Sequence, residues 1–217
     1  MTSRRLLPGT TAAVLLLVAP VCAGCSSSEA VPAPEAATTA ATPASPAELE
    51  ALLVDDVPSG LPRVPDDELD PPAGEKTIDD VARYGEDAEQ QQEVLADYGY
   101  TRGWERFWRS EEELTSVFLD QFADPSGAVS YADDLARNDA EHYGGLLDRS
   151  PNGLPDDCVL LAQDDPAPQH RMAGPAVFAW CSAGVFTVAV AAVADTEEEA
   201  RRELEAVTTA QLDRLPG

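Results

Sequence analysis

AVFAWC (176–181) and VFTVAVAAVA (185–194) decide the fold. Both runs are rich in Val, Phe and Ala, and Ser182-Ala183-Gly184 lies between them as a turn. They predict an antiparallel hairpin. The second run is almost wholly apolar, so it reads as a central strand with both faces covered. DCVLLAQ (157–163) upstream is another strand. TEEE (196–199) downstream is a capping box, which opens a closing helix carrying Leu204, Val207, Gln211 and Leu215.

The first half follows the same logic. YTRGWERFWR (100–109) and ELTSVFLDQF (113–122) predict a second hairpin through SEEE. Alternation places Tyr100, Trp104 and Trp108 on one strand face, with Arg102 and Arg106 sharing their parity. Asp124 caps a following helix and Pro125 occupies its first position. Its predicted buried stripe is Val129, Ala132, Ala136, Ala140 and Tyr143, and Gly144-Gly145 end it. Before the hairpin, Thr77 and Asp80 start a helix expected over 78–98, with Val81, Tyr84, Ala88, Leu95 and Tyr98 on one face. A short helix begins at Ser45-Pro46, with Glu48 completing a capping box and Leu49, Leu52 and Leu53 as its apolar stripe. DDVPSGLPRVPDDELDPPAGEK (55–76) has no periodicity and reads as a long loop, mobile or functional. The expected class is α+β: an antiparallel sheet with helices packed on it.

The N-terminus reads as an export address. Arg4-Arg5 precede an apolar run over 11–21, which is too short to span a bilayer. Ala23-Gly24-Cys25 then resembles the lipobox of bacterial lipoproteins. That resemblance implies cleavage before Cys25 and diacylglycerol on its sulfur, hence a membrane partner reached through a lipid anchor on the outer face of the cytoplasmic membrane. The alternative is an ordinary cleaved signal and free secretion. The following Ala, Thr, Pro and Ser-rich stretch cannot bury apolar surface and reads as a tether. At ~3.1 Å per residue its roughly 20 residues reach up to ~60 Å. The expected organisation is a signal over 1–24, lipidated Cys and tether over 25–47, and one α+β extracytoplasmic domain over 48–217.

LLVDDVPSGL (52–61), Gly103-Trp104, FADPSGAVSYA (122–132) and the late Cys pair carry a further resemblance. They are similar to exported lipoproteins and lipid-tethered sensor-like domains of actinobacteria. The extracellular sensor domain of mycobacterial PknH-type kinases is one such domain. The resemblance implies a surface location and ligand sensing, and brings no catalytic residues.

Composition excludes several functions. The 217 residues hold 14 Lys+Arg against 40 Asp+Glu, a net charge of −26. Removing the first 24 residues removes two Arg and no acid, leaving 12 against 40, or −28. Phosphate binding runs on Lys and Arg, so nucleic acid is not expected as a partner. The only lysine, Lys76, lies in GEKT, which lacks both the glycine spacing of a P-loop and the Ser of Ser-x-x-Lys. Cys158 and Cys181 remain as two thiols in an oxidising compartment and predict a disulfide. Zinc would need more ligands than these and His170 supply, and no acidic run matches a calcium loop. Neither metal nor cofactor is therefore expected. His142 suits a helix C-terminus, and Ser150 is not in a nucleophile elbow. The many Asp doublets read as solvated surface.

Two readings of the aromatics stay open. Tyr100, Trp104 and Trp108 line a ligand groove, or they are core beneath a helix. The expected function is non-catalytic binding or sensing of an unknown ligand or protein at the cell envelope. The rivals are an envelope hydrolase using paired carboxylates and a passive structural lipoprotein. A concave site holding two acids favours the hydrolase; dispersed loop acids over a closed core favour binding.

Overall fold

The computed structural model describes residues 41–164 and 172–216. Cys25, the export signal, most of the tether and His170 lie outside the described residues. Six strands form one antiparallel sheet: β1 (Gly74–Lys76), β2 (Tyr100–Arg109), β3 (Leu114–Phe122), β4 (Cys158–Gln163), β5 (Ala176–Ala183) and β6 (Phe186–Val193). Their order is β1-β2-β3-β6-β5-β4, which makes the most apolar strand, β6, internal. The described helices are α1 (Pro46–Glu50), α2 (Ile78–Ala82), α3 (Ala88–Asp97), α4 (Pro125–Tyr143) and α5 (Glu197–Leu212). The fold is α+β, as the patterning predicts.

Alternation sorts each strand's side chains to two covered faces. On one face Trp108, Val117, Leu119, Val177, Ala179, Val188 and Val190 meet Leu49 of α1, Leu53 just after it, and Leu204 and Val207 of α5. On the other, Phe178 and Trp180 meet Ala132 and Ala136 of α4. Further along that face Tyr100, Phe122 and Tyr131 pack with Val81 and Ala82 of α2 and Leu95 of α3. Each fully buried Leu contributes about 1.5–3 kcal/mol from leaving water.

Local chemistry sets the helix starts. Ser45, Thr77, Asp124 and Thr196 each accept a backbone N–H three residues on, and the Ser45–Glu48 and Thr77–Asp80 capping boxes are reciprocal. Side chains also clasp the N-terminal segment. Gln121 Nε2 donates to the Pro43 carbonyl at 2.9 Å. The fully buried Gln211 accepts from the Val54 N–H at 3.1 Å and donates to the Leu52 carbonyl at 3.0 Å. Arg106 donates to the Val54 carbonyl at 2.7 Å.

Several expectations need correction. The helix expected over 78–98 is two helices. Gly85 eases departure from helical geometry, and Asp87 restarts the helix by accepting from the Gln90 N–H. The 55–76 loop is built onto the sheet edge. Val64 N–H donates to the Phe107 carbonyl, Arg109 N–H donates to Pro62, and β1 pairs with β2 from Gly74↔Glu105 to Lys76↔Gly103. Such pairing covers an edge strand's free N–H and C=O groups. The β5–β6 ladder continues to Ala183↔Phe186, so the turn is Gly184-Val185, two residues long, with Gly184 at φ 57°. On α4 the buried stripe is Ala128, Tyr131, Ala132 and Ala136, while Val129 is 53% exposed.

Candidate ligand groove

The strand registers build a trough on the α4 side of the sheet. Glu105, Phe118, Ala189 and Trp180 pair across β2, β3, β6 and β5, and the next row on the same face is Phe107, Ser116, Ala191 and Phe178. Ser116 and Ala191 therefore lie between the rings of Phe107 and Phe178, and Ala189 between those of Phe118 and Trp180. The resulting hollow has a volume of about 540 Å³, well within the range that holds a small ligand. Phe107 and Phe118 meet edge-on at 5.5 Å. Tyr143 of α4 stacks on Phe178 at 4.9 Å, and Phe178 on Trp180 at 6.0 Å. Phe107, Phe118, Ala189 and Ala191 are only partly buried, so the floor is open to a ligand.

Charge gathers at one end. The β2–β3 turn brings Glu111, Glu112 and Glu113 to the groove, with Arg109 beside them, and α4 contributes Asp139. Burial pushes the Asp139 carboxyl up to about 6, against the opposing pull of His142. Burial, and then the Asp139 charge, push the Tyr143 hydroxyl up as well.

A second polar cluster lies beneath α2. Lys76 Nζ stands 3.2 Å from Glu105 Oε2 and donates to the Pro72 carbonyl. Tyr84 donates to Glu105 Oε1 at 2.7 Å, and Tyr100 donates to Asp120 Oδ1 at 3.1 Å. Burial raises the Glu105 carboxyl despite Tyr84 and Lys76. Burial also drives Asp120 up to about 7, the Tyr100 hydrogen bond opposing and the Glu105 charge reinforcing the rise. Lys76, Glu105 and Asp120 are all buried, and neither acid lines the groove. Glu105 and Asp120 therefore stand in closed core, while the concave site itself holds more than one acid, Asp139 and the three turn glutamates, which is the arrangement that favours the hydrolase reading.

The structure does not bring Tyr100, Trp104 and Trp108 together. A β-bulge separates the pairs Tyr100↔Phe122 and Arg102↔Gln121, leaving Thr101 unopposed. The extra residue reverses parity, so Tyr100 packs with Phe122 and Tyr131. Trp104 and Trp108 face α1 and α5 instead, Trp108 only 1% exposed, and neither indole N–H has a partner. The groove uses the opposite parity of the same strands, through Phe107 and Phe118. Cys158 and Cys181 are bonded, at an S–S distance of 2.04 Å. Their Cα atoms are 4.1 Å apart, closer than an average disulfide, because the two residues are directly opposed. Ser182 N–H donates to the Asp157 carbonyl alongside them, which marks the closely spaced, non-hydrogen-bonded type of pair. His142 stands in the last turn of α4 and meets Tyr143 edge-on at 4.8 Å. Among the described residues no group of three or more His, Cys, Asp or Glu side chains is placed to hold a metal ion. No described helix is long and apolar enough to cross a membrane.

The crystal structure of the extracellular domain of PknH from Mycobacterium tuberculosis is similar to this chain. Its TM-score is 0.48 and its sequence identity 13%, and the match covers 80% of this chain and 97% of that one. No protein-family model and no curated protein sequence matches the chain.

Proposed function

We propose that this protein is a lipid-anchored envelope protein whose folded part binds a ligand without transforming it. The observation that carries the binding reading is the aromatic-walled trough of about 540 Å³ with a partly exposed floor. A concave, largely apolar hollow of that volume with a few polar groups at its rim is the form that small-molecule sites take. The test is saturable binding of a neutral apolar fluorophore such as N-phenylnaphthylamine, compared with an Ala191→Trp variant that fills the trough. Binding at one site in the parent and its loss in the variant are expected. No binding in the parent, or equal binding in both, would leave the protein a passive structural lipoprotein.

Anchoring rests on Arg4-Arg5, the apolar run and Ala23-Gly24-Cys25, with residues 1–24 as the signal and 25–47 as the tether. Metabolic labelling with a fatty acid is expected to mark the natural chain and not Cys25→Ala; equal label in both sinks the anchor. One observation favours hydrolysis as a second reading: Asp139 lies in the groove with its carboxyl pushed up to about 6, near the working range of a general acid. Cleavage of cell-wall glycan by the purified protein, abolished in Asp139→Asn, would replace the non-catalytic reading.

A further inference from the structure

The groove's charge identifies the class of ligand, an inference that rests on the binding reading above. Among the described residues, the groups that line it with formal charge are Asp139, Glu111, Glu112 and Glu113 on the negative side and Arg109 on the positive side. Leu114 and Val193 pair in the sheet row next to the β2–β3 turn, so the three glutamates stand at the turn end of the trough. At the other end of that face α2 and α3 close over Tyr100 and Phe122. An elongated ligand therefore places its apolar part along Ala189 and Ala191 and its head among the acids.

Among the described residues an anionic head would meet four carboxylates and one guanidinium, on a chain of net charge −26. Burial of Asp139 adds to the preference, since a carboxylate lifted out of water gains more from an opposite charge than an exposed one does. We infer that the groove binds a cationic amphiphile: an alkyl or aromatic body ending in an amine or quaternary ammonium group, seated between Asp139 and the Glu111–Glu113 turn.

The test uses three probes with one tail and different heads: dodecyltrimethylammonium, dodecyl maltoside and dodecyl sulfate, each below its micellar concentration, titrated into the full folded protein by calorimetry. The cationic probe is expected to bind about tenfold more tightly than the maltoside, with the sulfate weakest. Asp139→Asn is expected to remove about five- to tenfold of the cation's affinity and leave the maltoside's unchanged. A combined Glu111→Gln, Glu112→Gln, Glu113→Gln variant, altered only in the turn, is expected to act in the same direction. Glu198→Gln, on exposed α5, controls for the general attraction of an acidic protein and is expected to change nothing. Equal affinity for all three heads, or a cation preference untouched by both groove variants, overturns the cationic assignment while leaving a groove. Absence of binding by every probe, or binding indifferent to Ala191→Trp, overturns the groove itself.

Discussion

Replacing Asp120 by Asn is expected to stabilise this protein, by an amount set by pH. The native carboxyl is buried and holds its proton up to about pH 7, whereas an unfolded aspartate releases it at 3.8. Between those values the native state binds more protons than the unfolded state, so stability falls as pH rises through the window and levels off above it. At about 1.4 kcal/mol per pH unit over roughly three units, the ionised Asp120 costs up to ~4 kcal/mol at pH 8. The cost is ~2 kcal/mol at pH 5 and ~0.6 kcal/mol at pH 4. Asparagine keeps the shape and still accepts from the Tyr100 hydroxyl, but never ionises. Urea unfolding of both proteins at pH 4, 5, 6 and 8, with Glu198→Gln as an exposed control for net charge, measures the difference directly. A difference between D120N and the parent that stays flat over this range, or a loss of stability at pH 8, would refute the assignment of Asp120 as a buried acid that ionises at a cost. Asp139 titrates with the same sign, so it adds to the parent's slope and cancels in the comparison.

A Cβ at Gly127 would overlap the backbone carbonyl of Tyr98, which cannot swing away as a side chain can. Gly127→Ala is expected to cost ~2–3 kcal/mol of unfolding free energy, and a change below ~0.5 kcal/mol would mean α4 moves freely off that chain. Cys158 and Cys181 are 23 residues apart, so reduction, or replacement of both by Ala, is expected to cost about 3 kcal/mol on a loop-entropy basis, read as a lower denaturant midpoint. Trp108→Ala should lose ~3–5 kcal/mol, whereas Phe118→Ala, in the open trough, should lose far less stability yet abolish binding of the apolar fluorophore. Similar stability losses for the two would place Phe118 in the core.

What could be read from the chain was local. Ser45, Thr77, Asp124 and Thr196 announce their helices because a cap's reach is three residues, and both hairpins follow from runs that the turn residues bracket. Local reading also went astray. Thr101 is an ordinary strand residue, yet leaving it unopposed turns Tyr100 to the other face from Trp104. Nothing in residue type signals a bulge when the partner strand creates it. β1 is three residues shortly after Pro71-Pro72, too short to show alternation, and exists because β2 offers an edge. The groove was illegible for a related reason. Its floor depends on Ser116 lying opposite Ala191, and Phe118 opposite Ala189, residues more than seventy positions apart that only the β3–β6 register unites.

The clasp on the segment from Pro43 to Val54 has a mechanical meaning. Tension arriving from the N-terminal side meets the Gln121 bond to Pro43 first, then the Gln211 bond to the Leu52 carbonyl, and then Val54, held at its N–H by Gln211 and at its carbonyl by Arg106. These are single side-chain latches in series, and the long ladders of the sheet carry no load until they open. A steady pull would therefore peel α1 and uncover Leu49 and Leu53 while the strands and the trough keep their shape. The segment from Pro43 to Val54 acts as a fuse: it gives way before the strand ladders are reached.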